Sequence, residues 1–228
     1  MGKQINNYII YPNVELGKNP IIEPYVILGK PKVSDNIIIK KTIIGDFPTL
    51  RSGTIIYYGN KIGMHFQTGD NARIRENNII GDYVSIGTGS IVENECNIAD
   101  NVKIHSNCFI PEFTILKENS WVGPNVTMTN VLHPPCPAFK RYAPIYGKKC
   151  CAGPIVEKNA IIGGGSVLLP GVIIGENALI GAGSVVTKDI SPNVVAYGNP
   201  AKMIKRIEDL TCPLDFYRRG VIYSWRKK

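Results

Sequence analysis

Three histidines, His65, His105 and His133, are the side chains of this 228-residue chain best suited to taking up and releasing a proton near neutral pH. Each has a different setting: His133 in the Pro-rich stretch TNVLHPPCP, His105 in IHSNCF and His65 in IGMHFQ. No two of them are close in sequence, and the six cysteines form no CxxC pair, so the pattern does not point to a tetrahedral zinc set. Asn107 follows His105 by two positions, and Asn125 lies three hexads beyond Asn107. The run Gly163, Gly164, Gly165 offers either backbone N–H groups that a ligand can approach closely or simply turn chemistry. Basic residues gather in the segment holding Lys140, Arg141, Lys148 and Lys149, then at Lys188, Lys202, Lys205 and Arg206, then at the tail. With a formal charge of +8, such clusters draw phosphorylated small ligands as readily as a polynucleotide. No interleaved aromatic strip or nucleic-acid-binding motif accompanies them.

The element that must position these residues is a six-residue repeat. From Ile44 to Met128 an aliphatic anchor returns at every sixth position in 14 of 15 slots, Thr68 being the exception. Six is neither a helical nor a two-residue strand period. Gly often follows the anchor, as at Gly45, Gly63, Gly81, Gly87 and Gly123, and a small or β-branched residue sits four places after it. The unit reads as a short strand and a turn, with the anchor inward, Gly allowing the turn and the small residue filling a corner. Three units make a triangular coil, and stacked coils bury one another's edges about 4.8 Å apart. Asn107 and Asn125 then stand one above the other, either as site residues or as rungs of an Asn ladder.

The register breaks after Met128 and resumes at Val156, Ile162, Leu168, Ile174, Ile180 and Val186. The predicted loop, 129–155, is rich in Pro and base, and a long loop in a regular solenoid is usually functional. An earlier run at Leu16, Ile22 and Leu28 implies a first coil with a small insertion near Gly29 to Asn36. The expected organisation is one domain over 1–228: an all-β solenoid over 16–190, the loop, and a C-terminal helical tail over 199–228. Cys96 and Cys108 fall on corner slots as core thiols; Cys136, Cys150 and Cys151 lie in the loop, and Cys212 follows the tail helix. No apolar run is long enough to span a membrane, no signal-peptide pattern opens the chain, and Asn6 breaks the myristoylation pattern. No membrane association and a cytoplasmic location are therefore expected.

The stretch from WVGPNV through the loop, with IIGGGSVLLPGVIIGENALIGAGSVVTKDI and VVAYGNPAKMIKRI, resembles the hexapeptide-repeat acyltransferases, whose fold is a left-handed parallel β-helix. The resemblance covers nearly the whole chain, and the IGAGSVVTKDI and GNPAK ending is similar to members that use acetyl-CoA. It implies a homotrimer with active sites between neighbouring solenoids and no metal. The segment LRSGTIIYYGNKIGMHFQTGDNARIRENNIIGDYVSIGTG looks similar to the branch that N-acetylates nucleotide-linked amino sugars. Carried onto this sequence, the resemblance makes His133 the counterpart of a loop histidine acting as general base, with His105 as its competitor. It puts Asn107 at the active site and the Gly164 N–H near the thioester carbonyl. It sets Gly163 and Ala182 along the pantetheine arm, with Lys188, Lys202 and Arg206 at the phosphates of CoA. Asn125, Asn130, His65, Lys140 and Arg141 are the substrate-side candidates.

The reaction implied is attack of a sugar amine, on a UDP- or dTDP-linked deoxysugar, at the thioester carbon of acetyl-CoA. His133 or His105 takes the proton and the Gly164 N–H steadies the oxyanion. A sugar O-acetyltransferase on the same scaffold, a zinc hydratase of the γ-carbonic-anhydrase type and a non-catalytic solenoid are the rival readings. The histidine spacing speaks against the second, and the loop and GNPAK ending against the third.

Overall fold

The computed structural model describes residues 7–31, 40–134 and 151–210. Their strands form three sheets of nine, eight and ten strands, parallel and taking every third strand in chain order except for the last two strands of the ten-stranded sheet. The sheets are the faces of a triangular prism. The first runs from Ile9–Ile10 to Val185–Val186, the second from Val14–Leu16 to Ile173–Ile174, and the third from Ile21–Ile22 upward. Successive coils pair anchor to anchor, as in Ile74↔Val92 on the first face, Ile80↔Ile98 on the second and Ile86↔Ile104 on the third.

Counting the anchor as slot 1, the anchors form the core: Ile56, Ile74, Ile98, Leu116, Val122 and Ile180 are wholly buried. Slot 5 fills the corners with Ala72, Val84, Cys96, Val102, Cys108 and Ala178, all 2% exposed or less. Thr68 occupies its anchor slot without cost to hydrogen bonding, because its hydroxyl meets that of Thr54 at 2.8 Å and accepts the Arg51 N–H at 3.0 Å. Burial pushes the Cys96 thiol up to about 12, so Cys96 is an inert core thiol rather than a nucleophile.

The turn is made differently from the sequence expectation. The residue with left-handed backbone is slot 4, occupied most often by Asn (among them Asn71, Asn77, Asn101, Asn107, Asn119, Asn125, Asn159 and Asn177, all near φ +60°), by glycine at several coils, and by Tyr25, Phe47, His65, Tyr83, Glu95 and Phe113 at others. Asn tolerates this region better than other side chains. The glycines of slot 2 have no positive φ; they are there for space. A Cβ on Gly45 would lie 2.7 Å from the backbone of Gly63 and Met64. A Cβ on Gly81 would take the place of the Asp100 Oδ1, which accepts the Asp82 N–H at 2.8 Å. Gly81→Ala is therefore expected to lower unfolding free energy by about 1–3 kcal/mol through overpacking and an orphaned N–H, measurable as a lower denaturant midpoint.

Two insertions interrupt the regular coils, and residues 32–39 and 135–150 of them lie outside the described part. Leu28 pairs with Ile56, further along the chain than one regular coil, which places the small N-terminal insertion between them, as expected. The long loop leaves the corner between the first and second faces after Met128. Its base is closed by an antiparallel bridge between Val131 and Cys151 and by the Ala152 N–H donating to the Asn130 carbonyl at 2.8 Å. Asn130 also donates to Cys151 Sγ at 3.3 Å, so Cys151 is a buried residue of the loop base. Cys136, Cys150 and Cys212 lie outside the described residues.

At 199–206, the start of the expected helical tail, the chain forms a β-hairpin instead. Val194–Gly198 extends the third face and Ala201–Arg206 pairs back on it antiparallel. A single 3₁₀ turn, Ile207–Asp209, comes next, and residues 211–228 lie outside the described part. The last coil would otherwise present unpaired backbone groups, and the hairpin satisfies them on one side. No helix among the described residues is long and apolar enough to cross a membrane.

Candidate active site

The corner between the third and first faces gathers most of the residues singled out by the sequence. Its slot 2 column runs Gly69, Gly87, His105, Gly123, Gly163, Gly181, successive members joined through coil-to-coil hydrogen bonds such as Gly87 N–H to Ile104 O and His105 N–H to Val122 O. Of these six, His105 alone carries a side chain, and it is exposed. Slot 3 of the same corner carries Ser106, Pro124, Gly164 and Ala182, and slot 4 carries Asn107, Asn125, Gly165 and Gly183. His105, Asn107, Asn125, Gly163, Gly164 and Ala182 thus line one edge of the prism over successive coils.

Three details suit this edge to catalysis. At the neighbouring corner, slot 3 N–H groups are capped by carboxylates: Lys18 by Asp46 at 2.7 Å, Met64 by Asp82 at 2.8 Å and Asp82 by Asp100 at 2.8 Å. On this edge the Gly164 and Ala182 N–H groups have no acceptor among the described residues. A free N–H beside a glycine is the donor an oxyanion needs. Second, the hydrogen-bonded Asn ladder is elsewhere, running Asn119, Asn159, Asn177, Asn193 at 3.2, 3.1 and 2.9 Å. The side chains of Asn107 and Asn125 make no hydrogen bond among the described residues. Both stand at left-handed corner positions in adjacent coils, as the Asn125 N–H to Ser106 O bond of 2.9 Å requires. Third, at Gly165 (φ +68°) and Gly183 (φ +70°) a Cβ would meet nothing within 4 Å. Asn fills this slot in the two preceding coils, so the switch to Gly leaves a bare lane beside Gly164 and Ala182.

The lane ends at the hairpin, where Lys202 pairs with Tyr197, whose side chain covers Gly181. Lys202 and Arg206 are exposed, Arg206 with Glu208 at 3.3 Å. Lys188 is exposed on the turn after Val185–Val186 and so stands at the far end of the first face from Gly164. His133 is exposed just beyond the loop base, on that same far corner, so within one chain the structure brings His105 and not His133 to the edge. Asn130 is engaged at the loop base, and Lys140 and Arg141 lie outside the described residues.

Beside the edge, the outer surface of the third face holds a groove of about 690 Å³. One long wall is His65 with Tyr83 and Asn101 at one corner, the other is His105 with Ser106 at the opposite corner, and the strand residues Gln67, Ser85, Lys103 and Trp121 form the floor between them. His65 is stacked between Phe47 and Tyr83 with ring centroids 5.0 and 4.7 Å away. His105 packs against Trp121 at 4.6 Å in a tilted arrangement. Among the described residues no group of three His, Cys, Asp or Glu could hold a metal ion. Gln67, Ser85, Lys103 and Trp121 were not singled out from the sequence. Their signal was available: each stands just before its anchor, faces outward, and recurs once per coil beside His65, Tyr83 and His105.

The profile described as bacterial transferase hexapeptide (six repeats) matches residues 153–188. A galactoside O-acetyltransferase of Escherichia coli is 32% identical over 145 residues, covering 59% of this chain and 70% of that one. The chain belongs to the hexapeptide-repeat transferases. A galactoside O-acetyltransferase of Lactococcus lactis is 36% identical to this hexapeptide-repeat transferase over 132 residues, 58% of this chain and 57% of that one. The chain spans about half the length of the first curated relatives it matches, between 45% and 57%. A solved UDP-N-acetylglucosamine acyltransferase of Arabidopsis superposes with a TM-score of 0.52 at 17% identity, covering 88% of this chain and 73% of that one. That likeness is one of fold, the left-handed parallel β-helix.

Proposed function

We propose that this chain is an acetyl-CoA-dependent N-acetyltransferase acting on a UDP- or dTDP-linked amino deoxysugar, as a homotrimer. The observation that carries the reading is the single edge on which His105, Asn107, Asn125, Gly163, Gly164 and Ala182 line up beside a bare lane and a groove. The acetyl-CoA arm lies along Gly163, Gly164 and Ala182 toward Lys202. The acceptor lies in the groove with its amine at His105. The amine nitrogen attacks the thioester carbon, and the Gly164 N–H donates to the carbonyl oxygen as it becomes an oxyanion. The C–S bond breaks, His105 takes the proton released by the nitrogen, and the leaving CoA thiolate receives it. Asn107 and Asn125, with free amides, orient the acceptor. In a trimer His133 would serve this edge only from a neighbouring copy.

The test is release of CoA from acetyl-CoA against UDP- and dTDP-linked 3-amino and 4-amino deoxysugars, with galactosides and other hydroxyl acceptors alongside. Turnover of amino sugars supports the reading. Turnover confined to hydroxyl acceptors would establish a sugar O-acetyltransferase, which the names of the Escherichia coli and Lactococcus lactis relatives favour.

A further inference from the structure

The groove on the third face is one-sided in charge. Its lining contains Lys103, His65 and His105 and no carboxylate. Lys103 is exposed, forms none of the ion pairs among the described residues, and lies on the floor, paired in register with Ser85 on one side and Trp121 on the other. At the second-to-third-face corner beside it, the Asp82 and Asp100 carboxylates are committed to backbone N–H groups. An ammonium group among neutral side chains, between two walls that carry aromatic rings, is a seat for an anion.

Its position relative to His105 fixes which part of a ligand that anion can be. A strand rises about 3.3 Å per residue, so the Cα atoms of Lys103 and His105 are about 6–7 Å apart. That separation is bridged by one sugar ring carrying an anionic group at one end and the reacting nitrogen at the other. The donor lane lies on later coils, beside Gly164 and Ala182, so the phosphates of CoA are not the natural occupant of this floor.

Resting on the proposed acceptor reading, we propose that Lys103 is a binding residue for the phosphate groups that link sugar to nucleoside, and therefore the residue that makes the groove select phosphorylated over free amino sugars. The probes are UDP, dTDP, inorganic pyrophosphate and CoA, titrated by calorimetry into the full chain and into Lys103→Met and Lys103→Arg, with thermal unfolding as the check on folding. Lys103→Met is expected to weaken UDP or dTDP binding by tenfold or more while leaving CoA binding and the unfolding temperature unchanged, and Lys103→Arg is expected to restore most of the affinity. Equal UDP and dTDP affinity in wild type and Lys103→Met would overturn the proposal, as would a loss that falls on CoA instead. Because the titrations need no turnover, absence of activity with every amino sugar would defeat the acceptor reading and still leave the anion seat decided. With turnover in hand, the variant should raise KM for the nucleotide-linked acceptor by tenfold or more, with little change for an amino sugar lacking phosphate.

Discussion

His105→Gly is expected to lower kcat by about 10²–10⁴-fold, the range of a general base, without unfolding the protein. The choice of glycine matters. Gly69, Gly87, Gly123, Gly163 and Gly181 occupy the other places of this column from the third coil upward, so the variant restores the pattern the fold uses on either side. A stable but inactive protein would separate chemistry from structure, because the only things removed are an imidazole and its packing against Trp121 at 4.6 Å. Single-turnover rates with saturating acetyl-CoA and acceptor give the effect on the chemical step directly. His133→Ala is the paired measurement. If it costs the larger factor, the proton goes to the loop histidine of a neighbouring copy; if both variants keep their rates, water takes the proton and the assignment of a protein base fails. An amine acceptor should show a smaller loss than a hydroxyl acceptor in the same variant, since a free amine is already a competent nucleophile.

The scaffold is legible in the sequence because its signal is long and redundant. Anchors such as Ile74, Ile98 and Leu116 recur often enough to fix face, coil and register without any single residue being decisive, and the stacking of Asn107 on Asn125 follows by counting. The logic of the turn is less legible. Gly81 reads as a turn residue, yet the left-handed backbone belongs to slot 4, as at Asn77, while Gly81 is small so that the carboxylate of Asp100 fits in the next coil. That distinction depends on a contact between coils, which a single hexad does not contain. The tail misleads for a related reason. A helical tail is expected from residue 199, but the strand Ala201–Arg206 answers to the open end of the sheet beneath it, a non-local demand. In the site, His105 stands out as a side chain in a glycine column. Lys103 and Trp121 read as ordinary outward residues, because their meeting with His65 and Tyr83 arises from a groove across the face rather than from any motif.

Gly165→Asn combined with Gly183→Asn is expected to raise KM for acetyl-CoA on the order of tenfold to a hundredfold while leaving stability nearly intact. In most settings replacing a glycine with φ near +70° by a side chain strains the backbone. At these two positions the corner itself supplies the counter-example, since Asn107 and Asn125 hold φ +58° in the same slot of the same edge. A Cβ at Gly165 or Gly183 would meet no atom within 4 Å, so each new side chain starts out into open space. The space they would fill is the lane beside the free Gly164 and Ala182 N–H groups, where the pantetheine arm of the donor is assigned. Each tenfold loss of donor affinity corresponds to about 1.4 kcal/mol, the scale of one amide forced against a bound chain. A single Gly165→Asn should affect the acyl end and lower kcat as well as raise KM, because Gly165 adjoins the oxyanion donor. Gly183→Asn, one coil further from His105, should act mainly on KM. Calorimetry with CoA, thermal unfolding and steady-state kinetics on the three variants read these effects separately. If the double variant binds CoA with unchanged affinity, the empty slots are only a relaxed piece of solenoid, and the donor must approach the Gly164 N–H from another direction.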